Sequence, residues 1–154
     1  MTNNMNQNQR KAIETALVQM KAARGNLLLV VILTAINIVM FASGSDNMFL
    51  FSATIPYSIA EAGMLTETVQ ISVIGIVFAL LYLVCWGMSK RHYGWMIAAL
   101  VIFSIDTVAW AGICIFVGDV SDIFDFHIHV LVLYYLIVGV INGQIKTAFV
   151  RKTV

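Results

Sequence analysis

Four apolar runs divide this chain, at residues 25–43, 69–88, 95–117 and 126–145, and each is 19 to 23 residues long. At a rise of about 1.5 Å per residue, a helix of that length crosses a hydrocarbon layer of about 30 Å. Lipid offers no partner to an unpaired backbone amide, so such runs must satisfy their own hydrogen bonds as helices. The expected fold class is all-α: a polytopic membrane protein built as a four-transmembrane-helix bundle. Composition agrees. The chain is 60% apolar and 11% charged, with mean hydropathy +0.90, whereas about a quarter of residues are charged in soluble domains. Its 154 residues make one domain.

The charges give the bundle a direction. All nine basic residues fall in three short segments: Arg10, Lys11, Lys21 and Arg24; Lys90 and Arg91; and Lys146, Arg151 and Lys152. The other connections, 44–68 and 118–125, hold six of the eight acids and no Lys or Arg. Basic segments favour the cytoplasm. The expected protein is therefore a multi-pass component of the cell membrane, with both termini cytoplasmic. Its parts are a cytoplasmic start at 1–24, a transmembrane domain at 25–149 and a tail at 150–154. Trp86, Tyr93 and Trp95 flank the 89–94 turn, as an interfacial aromatic belt would.

Segment 48–60 (MFLFSATIPYSIA) tests that topology. Thirteen apolar residues are too few to span, and a fifth span would carry Lys90, Arg91 and the tail outside. Pro56 suits the first turn of a short helix, and Gly63 is placed to close it. The expectation is an external short helix or hairpin over 48–63, lying across the mouth of the bundle in preference to a re-entrant loop. At the other end, residues 1–9 are polar. Residues 10–24 place Ile13, Ala16, Leu17 and Met20 at helical spacing, which predicts an N-terminal amphipathic helix lying on anionic lipid, or else a docking helix. The first span is longer than a signal-peptide core, so an uncleaved anchor is expected.

Asp106 is the one acid inside a span, near its middle. A charge there is costly, and such residues face the bundle interior or a wet cavity. Counting depth brings Thr34, Asn37, Tyr134 and Tyr135 to its level. Two roles stay open: a proton- or ion-binding carboxyl, and a hydrogen-bonded packing residue. At the outer start of span four, Asp122, Asp125, His127 and His129 suggest a pH-sensing or metal cluster. Helical spacing sets the two histidines about 200° apart, so capping by Asp122 and an Asp125–His129 pair at i and i+4 are preferred. No metal and no cofactor are expected.

Gly139 and Gly143 in span four, and Gly75 and Ala79 in span two, form small-residue faces that let helices approach closely, within the chain or between copies. Cys85 and Cys114 lie at opposite depths, too far apart for a disulfide. The chain lacks a P-loop, a HExxH and a nucleophile elbow, and its basic patches are too small to suggest nucleic acid.

The stretch NLLLVVILTAINIVMF followed by SDNMFLFSATIPY resembles small four-span membrane proteins of Gram-positive bacteria, over residues 26–60. The resemblance implies no activity. The first span is also loosely similar to the entry helix of rhomboid proteases, but the chain has no intramembrane Gly-x-Ser-Gly, so no catalytic residue carries over. Two function classes remain. One is a non-catalytic membrane subunit or assembly factor, whose partners are the bilayer and another membrane protein or a second copy. The alternative is a small oligomeric transporter or channel component using Asp106. Enzyme activity is the least supported reading.

Overall fold

The computed structural model describes residues 7–45, 52–117 and 123–153. Five helices follow in order: α1 (Gln7–Ala42), α2 (Thr54–Leu65), α3 (Val69–Met88), α4 (Gly94–Val117) and α5 (Ile123–Thr153). No strand occurs among the described residues. Helices α1, α3, α4 and α5 are each long and apolar enough to cross a membrane. Their outward residues are aliphatic, among them Ile32, Val39, Val77, Leu80, Val101 and Val108, while Thr34, Asn37, Asp106, Thr107 and His129 are buried. That inverted distribution suits lipid as the surrounding solvent.

No break separates the basic N-terminal segment from the first span. Residues 7–42 form one helix of 36 residues, collinear across Gly25. Residues 9–23 contain neither Gly nor Pro, and one interior glycine costs only about 1 kcal/mol against alanine. Packing on both sides of it outweighs that cost: Ala16, Ala23, Leu27 and Val30 are buried. The partner is α5, which likewise runs past the predicted end of its span to Thr153. Gly139 is a point of close approach, where an added Cβ would come within 2.5 Å of the Ala23 Cβ. Below it, Asn142 donates to the Gln19 side-chain oxygen at 2.5 Å.

Helix α2 does not lie across the bundle mouth. It stands beside α3 in antiparallel register, and the contact is too close for side chains: a Cβ at Gly75 would come within 2.5 Å of the Ala60 backbone nitrogen and 2.7 Å of the Pro56 carbonyl. One turn higher, a Cβ at Gly63 would strike the backbone nitrogen of Ser72. Gly63 therefore does not end the helix; it admits α3. The helix closes at Leu65 in a Schellman motif, with Thr68 N–H donating to the Gly63 carbonyl at 2.8 Å and Glu67 N–H to the Met64 carbonyl at 3.2 Å. Glu67 takes the left-handed position, φ 53°.

The other end of α2 is deep. Ala53 donates its N–H to Thr34 Oγ1 at 2.7 Å, and Thr34 lies eight residues, or about 12 Å, below the end of α1. Segment 52–65 thus starts among the long helices and runs back along α3. The part of 48–60 that precedes Ser52 lies outside the described residues.

Candidate intramembrane site

A helix start leaves its first N–H groups without intrahelical partners. At α2 each of them is accounted for. Ala53 donates to Thr34. Thr54 N–H donates to Asp106 Oδ2 at 2.9 Å, and Ile55 N–H to Asp106 Oδ1 at 2.6 Å. Pro56, next in line, has no N–H to satisfy. Ala53, at the N-cap position, has no side chain to contribute, so the cap is supplied from α1 and α4. A carboxylate at this point also meets the positive end of the α2 dipole.

Asp106 belongs to a stripe of α4 with Phe103, Thr107 and Trp110, at i, i+3, i+4 and i+7, which share one helix face. His129 of α5 lies against that stripe and is fully buried. Its ring stacks on Phe103 at 5.2 Å between centroids and on Trp110 at 6.4 Å. Its Nδ1 is 3.5 Å from Thr107 Oγ1 and 4.0 Å from Asp106 Oδ2. The Thr107 hydroxyl donates to the Phe103 carbonyl at 2.8 Å, so toward His129 that oxygen acts as the acceptor and Nδ1 carries the hydrogen. Tyr82 of α3 closes the inner side of the cluster, buried edge-on against Phe103 at 6.4 Å.

The sequence-predicted residues fall into three groups. Asp106, Thr34 and Asn37 are all buried, and Thr34 reaches Asp106 through the backbone of residues 53–54. Tyr134 and Tyr135 do not join them. They pair with each other at 5.6 Å, and Tyr134 is 59% exposed. The buried stripe of α5 runs through His129, Val132, Leu136 and Val140. Register explains the difference: Gly139 meets Met96 and Gly143 meets Tyr93, which sets His129, rather than the tyrosines, opposite Asp106. Equal counting outward from Val117 and Ile123 pairs Asp106 with Tyr134 instead, so the glycine contacts, and not the helix ends, select His129.

The outer cluster also divides. His127 is exposed and His129 buried, in keeping with their expected separation around the helix. His129 approaches Asp106 across the helix interface, a pairing the i, i+4 rule could not suggest. Asp122 and the side chain of Asp125 lie outside the described residues. No group of three or more metal-ligating side chains occurs among the described residues.

The small-residue faces act within the chain. Gly139 packs on α1 and α4, and Gly143 packs on Tyr93. Gly75 packs on α2, and Ala79 lines a shallow apolar groove with Val31, Ala35 and Leu83 between α1 and α3. Neither Cys85 nor Cys114 forms a disulfide among the described residues. No protein-family model matches the chain, and no curated protein or solved structure is significantly similar to it.

Proposed function

We propose that this protein is a non-catalytic membrane subunit or assembly factor that docks a partner on paired extensions of α1 and α5. One observation carries the reading. These helices have 36 and 31 residues, against the roughly 20 that a bilayer requires, and they stay paired past Gly139 through the Gln19–Asn142 hydrogen bond. The surplus length forms a two-helix stalk. Its surface carries Arg10, Lys11, Lys21 and Lys146, and the positive-inside rule supports a cytoplasmic position. Among those charges, Val18 is 66% exposed and Leu17 38% exposed, so the stalk presents two adjacent exposed apolar side chains on a mainly basic surface. The buried polar groups support the same reading, since both Asp106 oxygens are engaged in holding α2.

The test is a photo-crosslinking residue at Val18 in the intact cell membrane. A discrete crosslinked protein, lost when the neighbouring Leu17 is changed to Ser, is the expected outcome. A second reading, a small transporter component, draws on the Asp106–His129 pair. Cation or proton flux from the purified protein in liposomes, abolished by Asp106→Asn, would establish that reading in place of the first.

A further inference from the structure

We propose that Asp106 and His129 form a buried proton-binding site whose occupancy decides whether residues 52–65 stay seated among the long helices. The inference does not depend on the docking role of the stalk. It rests on the site's connectivity: one carboxylate holds the start of α2 by two hydrogen bonds, and the same Oδ2 that accepts from Thr54 is the oxygen nearest His129 Nδ1. The proton and the start of α2 therefore meet at a single atom.

Two protonation events act in opposite directions. With Asp106 ionised, both oxygens are acceptors and the α2 donors are satisfied by charge-assisted bonds. A proton gained by His129 places a positive charge 4.0 Å from Oδ2. That charge neutralises the pair in low-dielectric surroundings. A proton gained by Asp106 itself turns one oxygen into a hydroxyl. That oxygen becomes a donor, it is lost as a strong acceptor for an α2 N–H, and the interaction with the helix dipole is lost with it. The seat is held most firmly with the proton on His129 and none on Asp106.

From α3 the titratable group close to Asp106 is Tyr82. From α1, Thr34 and Asn37 are buried nearby and do not titrate. The first turn of α2 offers Thr54, Ile55 and Pro56, with Tyr57 and Glu61 farther along the helix. On α5, His127 points outward, and the side chain of Asp125 lies outside the described residues.

Hydrogen–deuterium exchange of the Thr54 and Ile55 amides reads the seat directly. The full chain in nanodiscs of zwitterionic lipid is measured between about pH 5 and about pH 8, with rates scaled for intrinsic pH dependence. The wild type should lose roughly tenfold protection at the alkaline end, the size expected for weakening a charge-assisted hydrogen bond. His129→Gln should flatten the profile while α4 and α5 amides stay protected. Asp106→Asn should speed exchange at every pH. A flat wild-type profile overturns the proposal, as does a His129→Gln profile that follows the wild type. If neither variant folds, the wild-type profile decides: a loss of protection confined to the Thr54 and Ile55 amides supports the site, and one shared by the α4 and α5 amides overturns it.

Discussion

Ile55 donates its backbone N–H to Asp106 across 2.6 Å, and the two residues lie 51 positions apart in the chain. A cap is ordinarily local, supplied by Ser, Thr, Asp or Asn at the residue before the helix. Here that residue is Ala53 and the acceptor comes from another helix. The arrangement converts an expensive intramembrane carboxyl into the partner of donors that would otherwise be stranded at the same depth.

The size of the cap can be measured. Asp106→Asn keeps one accepting oxygen and should cost about 1–3 kcal/mol, whereas Asp106→Ala strands both N–H groups and should cost about 3 kcal/mol or more. Thermal unfolding in detergent micelles resolves this order. Equal losses for the two variants would rule out capping as the role of Asp106.

Thr34 anchors Ala53, the third donor of the α2 start. Thr34→Val has nearly the same shape but no acceptor, and should lose about 1–3 kcal/mol. Thr34→Ser restores the oxygen and should fall within about 0.5 kcal/mol of the wild type. A serine variant as unstable as the valine variant would assign the loss to packing.

Gly75 and Gly87 lie on the same helix and make a matched pair. Alanine at Gly75 meets the backbone of Ala60 and Pro56, whereas at Gly87 nothing lies within 4 Å. Gly75→Ala should destabilise by about 1–3 kcal/mol through overpacking. Gly87→Ala should gain up to about 1 kcal/mol from helix propensity. Unfolding in the same detergent checks both, and a tolerated Gly75→Ala would mean that α2 and α3 separate easily.

Glu67 holds a left-handed conformation, φ 53°, in the motif that closes α2. Glycine takes that position without the steric cost that a β-carbon imposes, so Glu67→Gly should stabilise by about 1 kcal/mol. A loss of stability instead would show that the Glu67 side chain makes a contribution larger than the strain.

The four long helices were legible because run length and composition leave one structural answer in lipid. Asp106 was legible as a buried acid for the same reason. The continuity of α1 was not, since Gly25 and the change from charged to apolar residues look like a boundary; only the packing of Ala16 and Ala23 on α5 shows that the helix runs through. The depth of α2 was hidden for a related reason. Segment 48–60 reads as apolar and short whether it lies flat or stands upright, and the difference is set by Gly75 and Gly63, whose missing side chains let α2 stand against α3. His129 escaped notice because its partner is chosen by interhelical register, and hydrophobic periodicity within one segment carries no record of that register.

The cap on α2 imposes an order on biosynthesis. Thr54 and Ile55 leave the ribosome before Asp106, which follows them by 52 and 51 residues. Until α4 has entered the bilayer, two of the three N–H groups at the start of α2 have no acceptor from the finished fold, and only Thr34 is already available. Residues 52–65 must therefore wait in a wetter place while two further helices are threaded. This segment is among the earlier parts of the chain to be made and among the last to come to rest.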